Sequence, residues 1–153
     1  MKLFFSPGAC SLSPRIALLE AGLPFTTQKV DTKTKQLDGG GDFWAINSKG
    51  YVPLLQLDNG EYLSEGPAIV QYIADQNPAS GLAPAAGTMA RYRLQEMLNF
   101  ITTEIHKGFS PLFDPTLSAE VDICKRSAAR AKLPCSTTFT NTVIASNRSR
   151  AIF

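Results

Sequence analysis

The chain is poor in the residues that mark several large classes of function. Its 153 residues include three cysteines, one histidine and one tryptophan. An odd cysteine count without framework spacing argues against structural disulfides and leaves a free thiol to be explained. No apolar run approaches the ~20 residues that cross a bilayer. The opening Met1-Lys2-Leu3-Phe4-Phe5 breaks at Ser6-Pro7-Gly8, too early for the apolar region of a secretory leader, so a cytoplasmic protein without a membrane partner is expected. Neither GxxxxGK[ST] nor GxGxxG occurs, and no Cys/His set has metal-ligand spacing, so no metal is expected. Acids are also missing from residues 123–153, which hold 6 Lys+Arg and no Asp or Glu, against 9 and 13 in residues 1–122. Six charges without aromatic platforms make a weak nucleic-acid surface, and no nucleic-acid partner is expected.

What is present has the pattern of a small α/β unit followed by helix. Residues 2–5 read as a strand ended by a Pro-Gly turn. A helix follows, capped by Ser11 or Ser13, with Pro14 in its first turn, Ile16, Leu19 and Leu23 on its buried face and Gly22 as its stop. Residues 25–30 read as a second strand and 32–42 as a flexible loop closed by three glycines. Trp44 is expected to be packed. Residues 52–57 and 61–63 form a hairpin across Asp58-Asn59-Gly60. Ser64 caps a helix with Ala68, Ile69, Tyr72 and Ile73 on its apolar face. Residues 77–87 are rich in Pro, Ala and Gly. From Thr88 the pattern is helical, with Leu94, Met97, Leu98, Ile101 and Ile105 in register to His106. A further helix from Ser118 to about Leu133 is expected, and beyond Pro134 periodicity fails.

Four places carry possible chemistry. Cys10 lies between a turn and a helix N-terminus, where unpaired N–H groups and the helix dipole lower a thiol pKa. It is either a reactive or ligand-facing thiol or a small buried hydrophobe. No cysteine lies three residues away, which excludes a two-cysteine redox cycle. Val52-Pro53 is an X-Pro bond at a strand start, cis or trans; the cis form would free the Val52 backbone for pairing. Ser64-Glu65-Gly66 starts a helix with an acid, suited to a zwitterionic amino-acid group or simply to the helix dipole. His106 is either a catalyst or a charge at a helix end.

Five blocks keep their order and spacing together: residues 1–14, Ala45-Ile46-Asn47-Ser48-Lys49-Gly50-Tyr51-Val52-Pro53, Leu63-Ser64-Glu65-Gly66-Pro67-Ala68-Ile69-Val70-Gln71-Tyr72, Leu98-Asn99-Phe100, and 104–113. In these the chain resembles the beta-class bacterial glutathione S-transferases, over about residues 1–130. The resemblance implies an α/β thioredoxin-like N-terminal domain (βαβ-ββα) followed by an all-α C-terminal domain, in a homodimer. It implies transfer of the glutathione thiol to a hydrophobic electrophile, with some thiol–disulfide or peroxide-related activity. Glutathione is then a co-substrate, and no tightly bound cofactor is needed. By the same resemblance Cys10 lies beside the glutathione sulfur and can form a mixed disulfide with it, and Ser11 and His106 help hold the thiolate. Val52, before Pro53, pairs with the cysteinyl backbone. Glu65 and Gly66 receive the γ-glutamyl end, and Lys35 reaches the glycine carboxylate. Asn99 with Thr103, Glu104, Ile105 and His106 completes the site.

The departures matter too. Ser48 replaces the usual Pro of an Asn-Pro-Lys-Gly turn, which loosens it. Gly66 stands where a Ser hydroxyl is found. Residues 134–153 do not resemble the family's core helix, which implies an incomplete helical domain and suggests a shifted reading frame. The expected organisation is a glutathione-binding domain over 1–78, a linker over 79–87, a partial helical domain over 88–133 and a divergent tail over 134–153. Two alternatives follow: a truncated, largely inactive relative that only binds glutathione, and a single-cysteine, glutathione-dependent thiol–disulfide oxidoreductase.

Overall fold

The computed structural model describes residues 1–110. The expected helix after Ser118, the divergent tail and the incompleteness of the helical domain lie outside these residues. The chain divides into two compact units, one over residues 1–85 and one beginning at Ala86.

The first unit is built on a four-stranded sheet of order β2-β1-β3-β4. Its strands are β1 (Lys2–Phe5), β2 (Thr26–Lys29), β3 (Leu54–Gln56) and β4 (Tyr62–Ser64). β1 runs parallel to β2, with Leu3 opposite Thr27, and antiparallel to β3, with Leu3 opposite Leu55. β3 and β4 are the antiparallel hairpin that Asp58-Asn59-Gly60 foretold. Helix α1 (Leu12–Glu20) connects β1 to β2, and α2 (Gly66–Gln76) follows β4. This is the βαβ-ββα order of a thioredoxin-like domain.

Successive side chains on a strand point to opposite faces, and the two cores divide on that rule. Leu3 and Leu55 join Ala17, Leu18, Ala21, Ile69 and Ile73 in a core that packs both helices on one face. Their neighbours Phe4 and Leu54 join Val30, Phe43 and Val52 in a second core. The Phe4 and Phe43 rings lie 5.6 Å apart there. Asn77 Nδ2 donates to the Ala21 carbonyl at 2.9 Å, tying the end of α2 to the end of α1.

Several local expectations are corrected. α1 buries Pro14, Ala17 and Leu18, while Leu19 is exposed. Both stripes have helical spacing; the helix is apolar on most sides, and the sheet, not the sequence, chooses the side. The cap of α2 is Glu65 at φ 73°, because Ser64 is spent as the last residue of β4. The loop over 32–42 is not open chain. Val30 pairs with Leu37 and Gln36 with Asp42, and Asp31 Oδ1 accepts from the backbone of Lys33 at 2.7 Å and Thr34 at 3.1 Å. These bonds hold the Asp31 carboxyl below its usual pKa.

In the second unit α3 spans Met89–Phe100, and the Thr88 hydroxyl caps it by accepting from the Arg91 N–H at 3.2 Å. The helical run expected as far as His106 changes geometry after Phe100: Ile101–His106 is a π-helical segment. Thr102 and Thr103 hydroxyls donate to the carbonyls of Leu98 and Asn99, at 2.8 and 3.0 Å. Such back-bonding competes with the helix ladder and bends it. Leu94, Met97, Leu98, Ile101 and Ile105 are half-buried rather than buried.

Candidate functional site

The site begins with the turn between β1 and α1. Ser11 is buried, and its hydroxyl accepts from the Ser6 N–H at 3.1 Å and donates to the Ser6 carbonyl at 3.2 Å. It therefore makes no side-chain cap for α1, the role expected of it. Instead it closes the 6–11 turn on itself. Cys10, next along, is exposed and free. Its Sγ donates to the Val52 carbonyl at 3.4 Å.

Burial on its inner side pushes the Cys10 thiol up from its ordinary pKa. Its own backbone N–H pulls the other way, and the Glu65 carboxylate adds a smaller upward push. This corrects the expectation of a helix-lowered thiol: desolvation and a neighbouring acid outweigh the turn's N–H groups. Near neutral pH Cys10 is thus a thiol and a hydrogen-bond donor.

Val52 is positioned from both sides. Its side chain is in the second core, and its peptide bond to Pro53 is cis. Its N–H has no hydrogen-bond partner among the described residues. The preceding turn is held by Asn47, whose Nδ2 donates to the Tyr51 carbonyl at 2.9 Å and whose Oδ1 accepts from the Lys49 N–H at 3.2 Å. The Gly50 N–H closes it on the Asn47 carbonyl at 2.8 Å. With Ser48 in place of Pro the turn is still fixed, by a buried amide that sequence reasoning passed over. The Asn-x-x-Gly spacing was the available signal.

Lys35 and Glu65 are the two non-glycine residues with positive φ among those described, at 60° and 73°. Backbone held in such regions costs of order 1–3 kcal/mol and concentrates at functional sites. Lys35 Nζ donates to the Gly50 carbonyl at 2.8 Å. Glu65 is largely exposed and meets Lys49 Nζ at 3.5 Å. Trp44, expected to be packed, is 49 % exposed and forms a wall beside Lys35.

The first unit thus brings Cys10, Val52, Pro53, Lys35 and Glu65 into one region, with Gly66 opening α2 beside Glu65. Asn99, Thr103, Glu104, Ile105 and His106 belong to the second unit. Asn99 lies in the last turn of α3, and the other four lie in the π-helical segment, with Thr103, Glu104 and His106 exposed and Ile105 half-buried. π-helical turns are rare and recur at functional sites. No cluster of three potential metal ligands occurs among the described residues, and no helix there is long and apolar enough to cross a membrane.

A thioredoxin-like sheet carrying a single cysteine beside a cis-proline strand end defines the class of thiol-handling domains. Comparison narrows it. Residues 8–76 match the family model described as glutathione S-transferase, N-terminal domain. The chain is 47% identical over 133 residues to glutathione S-transferase GstA of Escherichia coli O157:H7, covering 87% of this chain and 66% of that protein. It is 35% identical to glutathione S-transferase GST-4.5 of Xanthomonas campestris, covering 92% and 67%. A sphingomonad glutathione S-transferase solved in complex with glutathione superposes with a TM-score of 0.85 at 49% identity, covering 95% of this chain and 70% of that one. The chain belongs to the bacterial glutathione S-transferase family. It spans about two thirds of the length of these curated relatives.

Proposed function

We propose that the first unit binds glutathione as a beta-class transferase does, and that the protein conjugates its thiol to hydrophobic electrophiles in the cytoplasm. The observation that carries this reading is the contact between the Cys10 thiol and the Val52 carbonyl at 3.4 Å. It sets a sulfur beside a strand end whose N–H is unspent, the arrangement needed to pair with a cysteinyl backbone while facing its side chain. Lys35 then takes the glycine carboxylate, and Glu65, with the backbone of Gly66, the γ-glutamyl ammonium and carboxylate. Ser11 fixes the turn that presents Cys10.

The chemistry is stabilisation of the glutathione thiolate, which attacks the electrophile. With its proton retained, Cys10 turns its one S–H from the Val52 carbonyl toward that sulfur when glutathione binds. The family resemblance adds Asn99 and Thr103–His106 as further candidate contacts for glutathione, in a homodimer. With oxidised glutathione a second reaction is open: the Cys10 thiol loses its proton to solvent, the thiolate attacks one sulfur, the glutathione S–S bond breaks as the mixed disulfide forms, and the leaving glutathione thiolate takes a proton back from solvent.

Titration calorimetry with glutathione, beside conjugation of a chloronitroarene, tests the reading. Binding with turnover is expected. Binding without turnover would make the chain a glutathione-binding relative. No binding would sink the proposal.

A further inference from the structure

We infer that Trp44 and Tyr51 are positioning residues that hold the Lys35 ammonium ready for a carboxylate. The inference rests on the reading of Lys35 as the anchor for the glycine carboxylate of glutathione. Lys35 Nζ lies 5.8 Å from the centroid of the Trp44 ring and 5.7 Å from that of Tyr51. Both are within cation–π reach. The Gly50 carbonyl fixes the same nitrogen at 2.8 Å.

Gly50 is part of the device. A Cβ there would fall 2.7, 2.8 and 3.0 Å from three atoms of the Trp44 ring, so the indole lies directly on glycine backbone. Its φ of +63° also favours glycine. The Asn47 turn and the Phe43–Ala45 turn, capped by Asp42 Oδ1 accepting from the Trp44 N–H at 2.9 Å, set the two rings.

An ammonium has three donors. One goes to Gly50, and no carboxylate is paired with Lys35 among the described residues, whereas Lys49 meets Glu65 and Arg93 meets Glu96. A cation lodged between two rings without a counter-ion is a seat for an anionic group. The rings hold its direction where a free lysine would sweep through many rotamers.

Trp44 is the chain's one tryptophan, so tryptophan emission reports on the surroundings of this ring. Lys35→Met is expected to shift the emission of the ligand-free protein; an unchanged spectrum overturns the contact. By calorimetry, Trp44→Leu and Tyr51→Leu are each expected to weaken glutathione binding about two- to fivefold, with Trp44→Phe close to the parent. The weakening should vanish for glutathione with its glycine carboxylate converted to an amide, and in the Lys35→Met background. Equal weakening for the amide, or persistence without Lys35, would mean that the rings only support the fold, and would overturn the inference while leaving the glutathione reading intact. Unchanged glutathione affinity in Lys35→Met would overturn the reading of Lys35 itself.

Discussion

At the scale of single residues the site is defined by groups held away from their ordinary state. Cys10 keeps its proton because its inner side is desolvated and Glu65 stands near. Its alkylation by iodoacetamide, followed by mass spectrometry, should therefore rise with pH to an inflection above that of a short cysteine peptide; an inflection below it would restore the helix-lowered thiol. The linked stability has a definite sign. A thiol pKa raised in the folded state contributes stability that is complete below the unfolded value and is lost as pH climbs through the folded one. Asp31 acts oppositely: its lowered pKa contributes above the unfolded carboxyl value and is lost as pH falls through the folded one.

Glu65 offers a sharper test. Its φ of 73° is costly for a side-chain-bearing residue, at about 1–3 kcal/mol, and glycine would relieve it. The exposed Lys49 pair that is lost contributes about 0–1 kcal/mol. Glu65→Gly should therefore raise thermal stability. If the acid takes the γ-glutamyl end, the same change should weaken glutathione about ten- to a hundredfold, the cost of a charged hydrogen bond. A variant both less stable and unaltered in affinity would show that the strained backbone serves something else.

At the scale of elements, the two sides of the sheet divide the work. The helical side supplies stability through Leu18, Ile69 and Ile73, and Ile69→Ala should cost about 2–5 kcal/mol in chemical denaturation without touching the ligand wall. The other side supplies geometry, because Val52 and Phe43 sit in its core and carry the loops that end in the site. Ser11→Ala should sit between these cases. It leaves the Ser6 N–H without its partner, costing about 1–3 kcal/mol, while the Ser6 carbonyl keeps the Ala9 N–H, and it loosens the turn under Cys10. A rise in Cys10 alkylation rate together with lowered stability would verify both roles; a change in stability alone would confine Ser11 to the fold.

This division also explains what the sequence made legible. Strands, the Asn-Gly hairpin and the face of α2 follow local periodicity and turn chemistry, which a single chain carries openly. The buried side of α1 did not, since its Ile-Ala-Leu-Leu run is apolar all round and only the sheet selects Ala17 and Leu18. Cys10, the Val52-Pro53 bond and Glu65 stood out from their local residue context and Lys35 from the family resemblance alone, and all four fall in one region of the first unit. The direction of the Cys10 pKa could not be read, because it depends first on burial by the folded chain and then on Glu65, 55 residues away in sequence. The Trp44–Lys35–Tyr51 grouping was hidden for a similar reason. It needs the loop over 32–42 to be pinned by two bridges, and polar, glycine-ended sequence reads as open chain.

At the scale of the whole molecule, ligand binding and folding are one equilibrium. A ligand that binds the folded chain alone stabilises it by RT ln(1 + [L]/Kd), about 2.7 kcal/mol at a hundredfold excess over Kd. For a chain of 153 residues each kcal/mol moves the midpoint by about 2–4 °C, so saturating glutathione should raise it by roughly 5–10 °C. The anchors proposed for the tripeptide all belong to the first unit except Asn99 and Thr103–His106, which belong to the second. Thermal scans at increasing glutathione can separate their shares. Lys35→Met should shrink the shift through the first unit, and His106→Ala through the second. If His106→Ala leaves the shift whole while Lys35→Met removes most of it, Lys35 is a main anchor of the tripeptide and His106 has no part in binding it. If neither variant alters the shift, the stabilisation arises elsewhere on the protein, and the placement of glutathione beside Cys10 and Val52 is wrong.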